Sequence, residues 1–418
     1  MSRHFRFWIL LCLLPALLNA QSVLYDESKV PAYTLPELLT TSKGKPVKTV
    51  KAWEKERRPE LLAIFAQEVY GETPQRKIPV TYQVRSEKKD AVGGLATRKD
   101  IRINFPEGKF MDLLLYIPNK ASGRVPAFLG LNFYGNQSLE NDPSIPITTS
   151  WQRNYQQLGV TDNRANERSR GAGAANWPLE LILSNGYALA TIYYCDLFPD
   201  HADGRPNSIN TLFPANKQPE REWGAIGAWA WGLSRALDYL ETESKIDARK
   251  VAVLGHSRLG KAAIWAGAQD QRFGMVISNN SGEGGAAITR RKFGETIAVI
   301  NKNFPHWFAP AYSKYNDREN DLPTDYHGLF ALIAPRPLYV ASASEDLWAD
   351  PKGEYLSLYH AGPVYRLYGK EVLTSPEPPG PQNPVMNGAM GFHIREGKHD
   401  ILKYDWEQYI RFADRHFK

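Results

Sequence analysis

The chain of 418 residues is predicted to fold as an α/β protein, a mainly parallel sheet sandwiched by helices. Three observations carry this. From residue 177 onward, short apolar strand runs alternate with helical ones, the order that builds a parallel sheet covered on both faces. Ahead of them come four strand-like runs at 80–84, 101–105, 111–117 and 127–133, divided only by turn residues. Finally, the apolar run 251–254 passes straight into Gly255-His256-Ser257 and a helix leaves at once.

The elements follow in order. The chain begins Met-Ser-Arg-His-Phe-Arg, turns apolar over 7–18 and ends that run near Asn19-Ala20. A basic start, a short apolar run and a small final residue describe a secretory leader over 1–20. The run is too short to span a bilayer. Such a chain is expected to be secreted or periplasmic. Cys12 would leave with the leader, so the mature chain keeps Cys195 alone and cannot close an internal disulfide. Its stability must come from a buried core, which residues 21–418 are long enough to supply as a single domain.

Residues 21–58 are polar and broken by prolines, and read as an arm laid over that domain. A helix is expected over 59–70, with Leu61, Leu62, Phe65 and Val69 on one face. Further helices are expected at 177–183, 223–241, 259–268 and 401–416, and strands at 187–194, 251–254, 275–278 and 338–343. Four long irregular stretches, 134–176, 196–222, 301–325 and 368–390, follow or adjoin strand ends. That edge of an open α/β sheet holds the ligand, so all four are expected to wall a cleft.

The net charge of +6 falls to +4 once Arg3 and Arg6 go with the leader. No Lys/Arg block rises above a solvated face, and nucleic acid is not an expected partner. No internal repeat is visible, and the sequence does not specify an oligomeric state.

The run 251–261, Val-Ala-Val-Leu-Gly-His-Ser-Arg-Leu-Gly-Lys, has the strand–turn–helix context of a nucleophile elbow. Such a turn lifts Ser257 to a helix N-terminus, where unpaired N–H groups can hold an oxyanion. It departs from G-x-S-x-G, because Leu259 takes the second glycine position and Gly260 follows one residue later. A serine nucleophile needs a base and the base an orienting acid, in the chain order Ser, acid, His for an α/β-hydrolase fold. His399, in Gly-Lys-His-Asp before the final helix, is the expected base. His393 sits in an alternating strand-like run and is expected to pack. Asp346, beyond the strand 338–343, is the expected acid, with adjacent Glu345 as its alternative. No cluster has metal-ligand spacing and no Gly-rich phosphate loop is present, so neither metal nor cofactor is expected.

These residues resemble the glucuronoyl esterases, carbohydrate esterase family fifteen, in their bacterial style. The family's Gly-x-Ser-Arg-x-Gly-Lys is matched at Gly255, Ser257, Arg258, Gly260 and Lys261. Other matching stretches begin at Asn280 (Asn-Ser-Gly-Glu-Gly-Gly-Ala), Arg290 (Arg-Arg-Lys-Phe-Gly-Glu-Thr), Phe304 (Phe-Pro-His-Trp-Phe) and Gly397 (Gly-Lys-His-Asp). The likeness runs from about residue 125 to the C-terminus. It implies hydrolysis of esters of (4-O-methyl-)glucuronic acid, as in links between glucuronoxylan and lignin alcohols. It further implies that Ser257 attacks the carbonyl, His399 acts as base and then acid, and Arg258 stabilises the oxyanion. Lys261, Glu295 and Trp348 would hold the sugar.

Blander roles for two of these are a surface salt bridge for Arg258 and core packing for Trp348. One departure matters: many members carry the triad acid just before Ser-Gly, where this chain has Asn280. An amide cannot serve, so the acid is assigned to Asp346, with Glu283 as a substitute. The alternative function is an acetyl xylan or other carbohydrate esterase. A non-catalytic polysaccharide-binding protein is the reading from a different class, and intact Ser257, His399 and Asp346 argue against it.

Overall fold

A computed structural model describes residues 23–418. The proposed leader, and Cys12 within it, lie outside the described residues. Ten strands form one sheet: β1 (Thr81–Ala91), β2 (Ala96–Asn104), β3 (Phe110–Pro118), β4 (Val125–Asn132), β5 (Ala188–Tyr193), β6 (Ile246–His256), β7 (Met275–Asn279), β8 (Leu338–Ala343), β9 (Val385–Asn387) and β10 (Met390–Arg395). Their spatial order is β1-β2-β3-β5-β4-β6-β7-β8-β10-β9. The run from β5 through β10 pairs in parallel, while β1, β2, β3 and the edge strand β9 pair antiparallel.

Side chains alternate across the pleat, so each central strand feeds two cores. Leu129, Ala190, Val253 and Val276 enter one, packed under the helices Ala225–Thr242 and Arg258–Gln269. Phe128, Leu189, Leu254 and Ile277 enter the other, against Ile182 of the helix Leu179–Ser184 and Trp406 and Phe412 of the helix Lys403–Phe417. Strands that feed helices on both faces are what produces the near-continuous apolar runs of the sequence. Every expected strand and helix is present, with ends shifted by a few residues, most at β1 and β6.

Three expectations need correction. The arm ends at Thr49, not near 58: residues 50–70 are helical, and the π-helical turn Trp53–Arg57 lies just ahead of Pro59. Proline has no N–H to give, so it marks an irregular helix here instead of a helix start. The helix Pro351–Leu367 is one that the sequence pattern does not announce. The stretch 368–390 carries the edge strand β9, and none of its residues lines the cavity at Ser257. No residue of 196–222 or 301–325 lines it either, so of the four long stretches only 134–176 lines that cavity.

The extended part of the arm is bound in place. The Leu24 carbonyl accepts the Gly294 N–H at 2.9 Å, Glu27 pairs with Arg291 at 2.7 Å, and Leu38 and Val47 are buried. No helix among the described residues is long and apolar enough to cross a membrane.

Candidate active site

β6 delivers Ser257 at its C-terminal end. Ser257 has φ 56° and ψ −131°, a conformation a residue with a Cβ adopts only under constraint. Its N–H is tied to the Asn279 carbonyl at 2.9 Å. The crowding fixes the glycines. A Cβ on Gly255 would lie 2.0 Å from the Leu259 carbonyl oxygen, and one on Gly260 would meet the Gly255 oxygen and Ser281 Cβ, both at 3.0 Å. The tight approach falls at 260, whereas Leu259 turns into the core. That is why the second glycine stands one place later than the general motif has it.

His399 Nδ1 lies 2.6 Å from Asp346 Oδ2, with Asp346 buried and the histidine side chain 42 % exposed. Ser257, Arg258 and His399 line one cavity of about 460 Å³ at the C-terminal edge of the sheet. Burial raises the Asp346 carboxyl, but the hydrogen bond and charge of His399, with the Asn280 amide, outweigh it and hold it below the usual carboxylate range. Asn280 Nδ2 donates to the same Oδ2 at 2.8 Å. Asn280 thus steadies the Asp346 carboxylate.

The alternative acids lie elsewhere. Glu345 is exposed. Glu283 is buried, accepts from Tyr312 Oη at 2.6 Å and the Gly284 N–H at 3.0 Å, and is pushed up to about 8 by burial. His393 is fully buried between Asp405 and the Tyr339 hydroxyl.

Arg258 opens the helix Arg258–Gln269. Its guanidinium pairs with Asp200, which is fully buried, and stands 4.7 Å from the Trp307 ring centre and 5.3 Å from that of Phe304. Asp200 also accepts from Trp307 Nε1 and meets His306 Nε2, each at 2.8 Å. Burial raises the Asp200 carboxyl, yet His306, Arg258 and Trp307 hold it well below the ordinary range. This is a held cation lining the cavity, not a surface salt bridge.

Lys261 departs from the simple picture. Its ammonium is buried and donates to the carbonyls of Ser281 and Glu283, the latter at 2.6 Å. Burial lowers its pKa, opposed by Glu295, Glu283 and Glu354. Two of its three donors are therefore spent on the turn beyond β7. Glu295 is buried, and its N–H bonds the Trp348 carbonyl at 3.0 Å. Trp348 is 37 % exposed, so it is no core residue.

Sequence reasoning missed Asp200, Asn280 as a donor, and His256. The His256 ring lies 4.5 Å from that of His399, with its Nδ1 2.6 Å from Asn279 Oδ1. Burial first, then the charge of His399, lowers its pKa to about 3. It stands neutral beside the proposed base. For His256 the signal was present, since it adjoins the nucleophile; Asp200 lies in an irregular stretch with no local motif.

The fungal glucuronyl esterase family model matches residues 188–369. A carbohydrate esterase, MZ0003, from an unknown prokaryotic organism is 47 % identical over 399 residues, 94 % of this chain and 91 % of that protein. Among solved structures, a glucuronoyl esterase from Solibacter usitatus is 50 % identical with a TM-score of 0.88, covering 94 % of this chain and all of the other. A promiscuous esterase of family fifteen from a marine bacterial metagenome is 45 % identical, with the same TM-score and coverage. With the elbow, the His399–Asp346 pair and the held arginine in these positions, the chain belongs to carbohydrate esterase family fifteen, the glucuronoyl esterases, and is a carboxylic ester hydrolase of the α/β-hydrolase fold.

Proposed function

We propose that the protein is a secreted or periplasmic serine esterase that cleaves esters of (4-O-methyl-)glucuronic acid, as in lignin–glucuronoxylan linkages. One observation carries the reading: a strained serine at a strand–helix elbow shares a cavity with a histidine bonded to a buried carboxylate. His399 takes the Ser257 proton as Oγ attacks the uronate carbonyl, and the Asp346 charge steadies the imidazolium that forms. The oxyanion faces the N–H groups at the start of the helix and the Arg258 guanidinium. Collapse breaks the ester C–O bond, the alcohol leaves with the proton from His399, and water reverses the sequence to free the uronate.

The walls of the site differ in character. In the cavity at Ser257, Tyr134, Tyr155, Leu158 and Trp177 give an apolar wall that suits an aromatic lignin-type alcohol, beside the polar Ser138, Asn176 and Asp400. Lys261, Glu295 and Trp348 are not among its lining residues, which fits a sugar held on another side. A leader over 1–20 is what supports export.

A broader carbohydrate esterase, active on acetyl xylan, is the second reading. It is favoured by the engagement of Lys261 with backbone carbonyls and by the promiscuity ascribed to the metagenomic relative. Initial rates on benzyl glucuronate and acetylated xylan separate the two. Uronate specificity requires the first to exceed the second by orders of magnitude, and comparable rates would establish the broader enzyme.

A further inference from the structure

A second cavity of about 470 Å³ opens at the same edge of the sheet. It is formed by the start of β3, the segment 150–164 and the chain that leaves β5. Trp151 and His201 make its aromatic wall, their rings 4.8 Å apart and tilted by 45°. Polar groups of several kinds surround them: the Asn163 and Asn207 amides, the Ser150 hydroxyl and the Asp196 carboxyl.

The wall is fixed from behind. Tyr193 Oη donates to the Trp151 carbonyl at 2.8 Å, and Ser150 Oγ donates to Asp196 at 2.6 Å. Gln152 and Asn163 exchange two hydrogen bonds of 3.1 and 3.0 Å. Charges on the lining are mixed in sign, Lys109 and Arg164 with Asp162 and Asp196, so the cavity does not select an anion.

Its link to the catalytic site is short. Pro199 and His201 line this cavity, while Asp200 between them holds Arg258 in the other. Arg153 is 4.0 Å from the same Asp200 carboxylate. It lies two residues from Trp151, at most about 7 Å between Cα atoms. Arg258 of the first cavity and Arg153, two residues from Trp151 of the second, thus meet at one carboxylate.

An aromatic wall ringed by amide, hydroxyl and charged groups of both signs is suited to a polyhydroxylated ring, apolar on its C–H face and polar at its edge. We infer that this cavity is a subsite for neutral sugar units of the polysaccharide main chain that carries the uronate ester. The assignment rests on the uronate reading given above, and extends it from the reacting sugar to the chain behind it.

Two measurements test it. The first compares kcat/KM on benzyl glucuronate with that on the same ester carried by a xylooligosaccharide, in wild type, Trp151→Ala and His201→Ala. Each variant should lose roughly five- to tenfold on the oligosaccharide ester, the worth of one stacking contact, and keep its rate on benzyl glucuronate. Unchanged rates on both substrates, or equal loss on both, would overturn the subsite.

The second measurement titrates xylohexaose, which carries no ester, into the Ser257→Ala protein by calorimetry. Saturable binding that Trp151→Ala abolishes supports the subsite even if benzyl glucuronate proves a poor substrate, which would count against the uronate reading alone. Absent binding, or binding that Trp151→Ala leaves intact, overturns it.

Discussion

Two of the histidine–aspartate pairs among the described residues are built for different ends. His399 Nδ1 meets Asp346 at 2.6 Å, and its ring faces a cavity. His393 meets Asp405 at 2.8 Å, but its other nitrogen is taken by the Tyr339 hydroxyl and the ring is fully buried. Asp405 also holds Arg395 at 3.0 Å and the Leu402 N–H at 2.7 Å. A base needs one nitrogen oriented and the other open to substrate. The first pair meets that condition; the second ties β10 to the last helix.

The largest effect that sharpens this contrast is Ser257→Ala. Turnover should fall about 10⁴-fold or more while the fold persists, and residual activity within tenfold of wild type would remove Ser257 from its role. Asp346→Asn should cost about 10³- to 10⁴-fold in kcat, whereas Glu345→Gln and Glu283→Gln retain most activity per folded molecule. Kinetics of the three purified variants decide the matter, and a crippled Glu283→Gln with a healthy Asp346→Asn would reassign the acid.

Asp200→Asn tests the hold on Arg258. Releasing the guanidinium should lower kcat by about 10²-fold, near the worth of one oxyanion donor; an unchanged kcat would confine Arg258 to structure. Asp405→Asn should leave kcat per folded molecule intact, yet lower stability by about 3 kcal/mol in urea unfolding, because it strips a buried His and Arg of their partner. If it instead abolished kcat in folded protein, the division between the two pairs would fail.

The smallest effect is one of pH. Asp346 is held below its unfolded value, so its contribution to stability is complete above the ordinary carboxylate range and is lost as pH falls through the lowered folded value. The stability gap between wild type and Asp346→Asn should hold near neutrality and narrow below about pH 4. A gap that widens on acidification would contradict the ionised acid.

Much of this was legible in the sequence for a physical reason. A parallel sheet puts its chemistry at strand ends, and Ser257, Asp346 and His399 each stand in a short polar stretch beyond an apolar run. The helix Pro351–Leu367 was illegible because it is buried on most sides, leaving no polar stripe, and carries Gly353 and Pro363 within it. Asp200 was illegible because its partners Arg258, His306 and Trp307 are remote in sequence. Of the four long stretches only 134–176 lines the cavity at Ser257, because length alone does not say what a loop covers.

Asn280 and Asp346 have a consequence for how such an enzyme changes over time. β7 and β8 run side by side in parallel, and the Asn280 N–H is bonded to Ala341 at 2.7 Å, so the two strand ends open onto one point in space. The amide of one and the carboxylate of the other meet at a single oxygen. The negative charge beside His399 thus has two possible addresses. A carboxylate can therefore be placed at the second strand end before the first is given up, and an amide at the first strand end still serves as a donor. The geometry thus permits the acid to change strands by single substitutions with no charge-free step between them.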